Sequence, residues 1–163
     1  MSAPQLDGIH HVKLPVRDLA RSQAWYESRL GYRAAIEFVE QGTLMGVVMR
    51  HPNGGPELGI RLDPERAAAA AGFDYFSIAV PSKEAMDELA ARLTDLGESH
   101  AGVHFATIGW ILPDLHDPDG HEVRFYTTAK HTDTADGEVV RVENPREAAE
   151  ARERAMNDAA TRS

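Results

Sequence analysis

His11, Lys13, Glu57, Arg61, Tyr75, Glu122, Arg124 and Tyr126 are the side chains in this sequence with the most chemistry to offer, and they recur at alternate positions of four short apolar stretches. Strict alternation places successive side chains on opposite faces of a strand. One face then carries Val12, Leu14, Leu58, Ile60, Phe76, Ile78, Val123 and Phe125, all apolar. The other carries His11 and Lys13; Glu57, Gly59 and Arg61; Tyr75 and Ser77; Glu122, Arg124 and Tyr126. A polar inner face on a half-buried sheet is either a solvated surface or the lining of a ligand groove. His11 has the chemistry of a metal ligand, a proton shuttle near neutral pH, or a structural imidazole holding a backbone carbonyl. Arg124 can clamp a carboxylate, enolate or phosphate through its planar fork, or spend that fork on an internal ion pair to Glu122 or Glu57. Trp110 can stack on a planar ligand or pack in the core.

The elements that must position these residues form an internal repeat. Gly8 to Val16 followed by a helix ending at Leu30-Gly31 is replayed by Gly72 to Val80 and a second helix ending at Leu96-Gly97. Asp18 and Ser82 are the helix caps, and Gly31 sits where a left-handed C-cap is wanted. Strands are predicted over Tyr32 to Val39, Thr43 to Arg50 and Glu57 to Leu62, and again over Val103 to Ile108, Trp110 to Leu115 and Glu122 to Tyr126. The turns His51-Pro-Asn-Gly-Gly-Pro56 and His116-Asp-Pro-Asp-Gly-His121 occupy equivalent places. His51, His116 and His121 are expected to be solvated there, and Trp25 to be core. Parity turns His10 away from the face of His11.

The predicted fold is α+β: two βαβββ modules forming a curved mixed sheet with a concave ligand groove, helices on the convex side, and a C-terminal helical tail. The expected divisions are an N-terminal extension at 1–7, a domain at 8–127 made of modules 8–71 and 72–127, and a linker with a C-terminal helix at 128–163. That last helix opens with Asn144-Pro145 and Glu147, an N-cap and capping-box pattern. Its apolar side, Ala148, Ala151, Ala155 and Met156, is thin, which predicts a loosely docked or frayed helix.

Composition removes several classes. The chain of 163 residues has a formal net charge of −9, which disfavours nucleic acid as a partner and is compatible with cationic small molecules. It has no cysteine, so thiolate metal sites and Cys nucleophiles are excluded. No window approaches a membrane span and the N-terminus lacks a basic start with an apolar run, so a cytoplasmic protein without a membrane partner is expected. Phosphate-cradling glycine loops and a Gly-x-Ser-x-Gly elbow are missing as well.

The residues His11-x-x-Leu14-x-Val16-x-Asp18, Ser22-x-x-Trp25-Tyr26-x-x-x-Leu30-Gly31 and Asp117-Pro118-Asp119-Gly120, with the duplication, resemble the vicinal oxygen chelate superfamily over about residues 8 to 127. This group holds glyoxalases, fosfomycin- and bleomycin-resistance proteins and extradiol dioxygenases. The resemblance implies that metal-dependent members hold their ion at four positions, here His11, Gly59, Tyr75 and Arg124. Only His11 fits, because glycine has no donor, neutral tyrosine is a poor one and arginine keeps its proton. A metal, if held, would need His11 with Glu57 or Glu122. The expected function is therefore a metal-independent, cofactor-free lyase or isomerase acting on a small organic acid or enolisable carbonyl compound. Its catalytic residues would be His11, Tyr75 and Arg124, with Tyr75 or Glu57 orienting His11, and its substrate-binding residues Glu57, Arg61, Trp110, Glu122 and Tyr126. The alternatives are a drug- or metabolite-sequestering protein of the bleomycin-resistance kind, and a metal-dependent glyoxalase-like lyase or extradiol-type dioxygenase with rearranged ligands. The resemblance also implies a homodimer.

Overall fold

The structure is a computed structural model that describes residues 4–5, 9–131, 139 and 141–162. Gly8, most of the N-terminal extension, and positions 132–138 and 140 of the linker lie outside the described residues. The βαβββ order appears twice. First come β1 (His11–Val16), α1 (Leu19–Leu30), β2 (Arg33–Glu40), β3 (Thr43–Arg50) and β4 (Glu57–Leu62), followed by the short α2 (Pro64–Ala70). Then come β5 (Asp74–Val80), α3 (Lys83–Asp95), β6 (His104–Phe105), β7 (Trp110–Leu112) and β8 (Glu122–Thr127), with α4 (Pro145–Ala160) closing the chain. Two four-stranded sheets result, in the orders β1-β4-β3-β2 and β5-β8-β7-β6. None of the described helices is long and apolar enough to cross a membrane.

Contacts divide the chain into two compact units: Met1–Tyr75 with His116–Glu122, and Phe76–Leu115 with Val123–Ser163. In the first, the alternation of β1 and β4 sends Leu14, Val16, Leu58 and Ile60 into a core where each is at most 1% exposed. Asp18 caps α1 by accepting the Arg21 N–H at 3.0 Å, and Gly31 closes it at φ +80°, a conformation only glycine adopts freely. Leu19, Ser22, Trp25 and Tyr26 then form the buried stripe of α1. Trp25 is core, as expected.

The turn before β8 belongs to this first unit and is more than a turn. Asp119 accepts from Arg17 through its backbone N–H (3.0 Å) and Nε (2.9 Å), and from the hydroxyl of Ser22 (3.0 Å). Tyr26 Oη donates to Asp117 at 2.8 Å, while the other Asp117 oxygen takes the backbone N–H groups of Asp119 and His121. His121, expected to be solvated, is fully buried. Its Nε2 lies 2.7 Å from the Pro15 carbonyl, which can only accept, so the proton sits on Nε2 and Nδ1 is left without a hydrogen-bond partner. His51 is half-buried, its ring edge-on to Tyr32; His116 is exposed, as expected.

In the second unit Ser82 caps α3, and Met86, Leu93, Leu112, Leu115, Val123 and Phe125 form the core. Strands β6 and β7 are shorter than the alternation predicts. The backbone between them folds into a tight loop in which the Ala106 N–H bonds the Gly109 carbonyl at 2.8 Å, and His131 Nε2 sits 2.9 Å from the Ala106 carbonyl. Those groups are thereby withdrawn from ladder pairing, and Pro113, lacking an N–H, ends β7. The start of α4 also departs from expectation: Asn144 stands at φ +49° with no side-chain capping bond. Ala149 is its buried residue, whereas Ala151, Ala155 and Met156 face solvent.

Candidate functional site

Each unit contains its own cavity. Register builds the first. Lys13 pairs with Gly59, Gly59 with Val48 and Val48 with Ile36, so one row of side chains crosses all four strands. The next row runs from Arg61 through Gly46 to Phe38. Together with His10, His11, Glu40, Arg50 and Glu57 these rows line a cavity of about 430 Å³. Its floor is apolar and its rim charged. A side chain at Gly46 would press on the Ile60 carbonyl at 3.2 Å and on the Phe38 ring at 3.5 Å, so glycine there lets the ring lie close to the sheet.

Most of the rim charge is already paired. Arg50 Nε bonds Glu57 at 2.6 Å, and Arg61 grips both oxygens of Glu40 at 2.5 and 3.0 Å. The Arg61 bonds hold the Glu40 carboxyl below its ordinary range. Lys13 contributes positive field to Glu40 without bonding it. His10 Nδ1 stands 3.0 Å from His11 Nδ1, with the rings edge to face at 5.2 Å. At that distance the two Nδ1 atoms are within hydrogen-bond reach, one as donor and the other as acceptor. This corrects the parity expectation: His10 precedes the first residue of β1 and is free of its alternation.

The second cavity, about 800 Å³, is walled by Phe105, Ile111, Arg124 and Tyr126 of the sheet and by one face of α4. Phe105 is backed by His131, stacked on it at 3.8 Å, and by Trp110, edge-on at 5.8 Å.

The structure therefore brings His11, Glu57 and Arg61 into one cavity, and Arg124 and Tyr126 into another. Trp110, Tyr75 and Glu122 line neither. Trp110 supports the aromatic wall from behind, Tyr75 Oη donates to the Ala70 carbonyl at 2.5 Å, and Glu122 is buried, bridged through its backbone to His116. Tyr75 is bonded to Ala70 and Glu57 to Arg50, and the side chain within hydrogen-bond reach of His11 is that of His10. Sequence reasoning left His10 out of the site, although two adjacent histidines at a strand start were the available signal. It also turned the wrong face of α4 inward.

Metal ligation fails a direct fit. Among the described residues no three His, Cys, Asp or Glu side chains gather in a group able to hold an ion. At Gly59, one of the ligand positions implied by the resemblance, the Lys13 stem lies 3.9 Å from where a Cβ would stand, which places an ammonium group's chain beside the site.

Residues 8–125 match the family described as the Glyoxalase/Bleomycin resistance protein/Dioxygenase superfamily. No curated protein matches the chain. Among solved structures, a glyoxylase/bleomycin resistance protein/dioxygenase domain from Frankia sp. EAN1pec is 26% identical, with a TM-score of 0.61 over 76% of this chain and 98% of its own. A lactoylglutathione lyase from Agrobacterium tumefaciens is 18% identical (TM-score 0.61; 77% and 96% covered). An antibiotic binding protein from Streptomyces sp. CB03234 is 15% identical (TM-score 0.59; 77% and 98% covered). The latter two likenesses speak to fold alone. The repeated βαβββ order, the matched span and these neighbours together make the chain a member of the glyoxalase, bleomycin-resistance and dioxygenase superfamily.

Proposed function

We propose that the protein acts on a small organic acid or enolisable carbonyl compound in the first cavity, by proton transfer and without a resident metal ion. The observation that carries this reading is the His10 and His11 pair, whose facing Nδ1 atoms stand within hydrogen-bond reach at the rim of an apolar-floored cavity. His11 takes or returns the substrate proton. His10 relays it and fixes the tautomer of its neighbour. Lys13, two residues along the same face, makes no ion pair with a carboxylate among the described residues, whereas Arg50 and Arg61 are bonded to Glu57 and Glu40; it holds the anionic end of the substrate or the developing enolate. Ile36, Phe38 and Val48 cover the carbon skeleton. The product is an isomer or an elimination product, in keeping with a lyase or isomerase step.

The test is hydrogen exchange at carbon. A panel of 2-oxo acids and 2-hydroxy ketones is incubated with the protein in D₂O and followed by proton NMR. The wild type is expected to accelerate exchange next to the carbonyl of at least one member, with His11→Ala lowering the rate by about 10²-fold or more. Lys13→Met should raise KM more than it lowers kcat for the anionic members. Exchange that His11→Ala leaves intact, or no exchange across the panel, ends the proposal.

A second reading, binding without turnover, is favoured by Ile36 and Phe38. At 42% and 49% exposed they offer an apolar wall that a planar ligand would cover. Stoichiometric binding in the first cavity with no turnover would select it.

A further inference from the structure

The first cavity is lined by three basic side chains, Lys13, Arg50 and Arg61, and by two carboxylates, Glu40 and Glu57. Both carboxylates are set against arginines. Arg50 on β3 donates to Glu57 on the neighbouring β4 through Nε at 2.6 Å. Arg61 on β4 takes Glu40 end-on, Nη1 to Oε1 at 2.5 Å and Nη2 to Oε2 at 3.0 Å. This second pair reaches further. In the order β1-β4-β3-β2, β3 lies between the strands that carry Arg61 and Glu40, so the clasp crosses over it. Arg61 stands opposite Gly46 in the register, and a Cβ at Gly46 would touch Arg61 Cδ at 3.7 Å, so glycine leaves the path over β3 open to the arginine stem.

A carboxylate bound through two parallel bonds occupies the guanidinium edge that would otherwise receive an anion, and two-point geometry holds it where a single exposed contact would be given up to water. With the imidazoles neutral, three cations against two carboxylates leave the cavity one positive charge. Outside, the net charge of −9 repels an anion in proportion to its own charge. A second negative charge on the ligand therefore meets more repulsion on approach and no open fork on arrival. We propose that Glu40, assisted by Glu57, is a charge filter that restricts the first cavity to singly charged anions, an inference that rests on reading this cavity as the site of an organic acid. Glu40 is the specificity-determining member, because it fills both terminal nitrogens of Arg61 whereas Glu57 takes only Nε of Arg50.

Two five-carbon acids test it, 2-oxovalerate with one negative charge and 2-oxoglutarate with two. Each is titrated into the full-length protein at about pH 8, where imidazole is neutral, and followed by backbone amide shifts. The expected result is saturable shifts centred on Lys13, Gly46 and Val48, with 2-oxovalerate bound about threefold or more tighter than 2-oxoglutarate. Glu40→Gln uncovers Arg61 and should tighten 2-oxoglutarate by about tenfold, the worth of one charge-assisted contact, while 2-oxovalerate gains no more than about threefold. Glu57→Gln should tighten 2-oxoglutarate by less, and Glu40→Asp, which keeps the charge, should retain the wild-type order. The Glu40 side chain is 54% exposed, so these replacements leave the core untouched, and the spectrum away from the cavity must stay that of the wild type. The predicted order of binding without hydrogen exchange at carbon upholds the filter and ends the proton-transfer reading. Exchange on both acids with equal affinity ends the filter alone, and no saturation by either acid up to ~10 mM ends both. A wild type that prefers 2-oxoglutarate, or a Glu40→Gln variant in which the two acids keep their wild-type ratio, overturns the proposal.

Discussion

Replacing Asp119 by alanine removes a carboxylate that the Ser22 hydroxyl, the Arg17 amide and the Arg17 guanidinium all use. The three losses are unequal. Arg17's side chain is 52% exposed, so water takes over its half of the ion pair and the cost is about 0–1 kcal/mol. Ser22 is fully buried and loses its acceptor, which costs about 1–3 kcal/mol, and the Arg17 amide adds roughly 1 kcal/mol. The expected total is about 3 kcal/mol, or a fall in melting temperature of roughly 10 °C for a chain of this size.

The same residue sets a pH dependence. Burial alone would raise the Asp119 pKa, but the hydrogen bonds from Arg17 and Ser22 together outweigh it and hold the carboxyl below its ordinary range. A depressed folded-state pKa means the stabilisation is complete above the unfolded carboxylate range and drains away as pH falls through the folded value. Melts of wild type and Asp119→Ala, followed by circular dichroism from about pH 7 down to about pH 3, should therefore converge at the acid end. Asp119→Asn, which keeps an acceptor oxygen for Arg17, should fall between the two. In a double-mutant cycle Ser22→Ala should recover part of the loss, because the stranded hydroxyl is then gone. A shift smaller than about 2 °C, or a gap that stays constant as pH falls, would refute the reasoning.

Two further substitutions probe buried geometry. Tyr26→Phe takes away the phenol that donates to Asp117, whose pKa is raised by burial against the pull of that bond; a loss of about 1–3 kcal/mol near pH 7, shrinking in acid where Asp117 is protonated, is expected by urea unfolding. A raised folded-state pKa favours the fold at low pH and gives that advantage up as pH climbs through it, so removing the phenol should steepen the decline. Gly109→Ala would set a Cβ 2.6 Å from Thr127 Oγ1 and 3.1 Å from the Ala129 carbonyl, costing about 1–3 kcal/mol, whereas Gly59→Ala meets nothing closer than 3.8 Å and should leave the melt nearly unchanged.

The architecture was legible because alternation and helical spacing are written in the residues themselves. Leu14, Val16, Leu58 and Ile60 point to the core by parity, and Asp18 and Gly31 mark the ends of α1. What escaped depends on partners far along the chain. His121 sits in a turn and is polar, yet Pro15's carbonyl more than a hundred residues earlier receives its Nε2 proton. Strands β6 and β7 stop early because His131 takes a carbonyl between them. His10 joins the site because strand parity starts one residue later, and α4 buries Ala149 in place of the expected alanines because Arg152 ties it to Thr107.

The turn at His116–Glu122 bears on how the protein can be made. Three side chains or backbone groups of the first module, at Arg17, Ser22 and Tyr26, wait for acids that lie 91 to 102 residues downstream. On the ribosome the amino-terminal module emerges with its α1 hydroxyls unsatisfied, and it acquires its closing bonds only after most of the second module has been synthesised. A duplicated ancestor could have supplied two interchangeable halves. In this chain they are no longer interchangeable, because the turn His116–Glu122 of the second copy is a structural part of the first unit, and a deletion that spares every residue up to Tyr75 still leaves that unit incomplete.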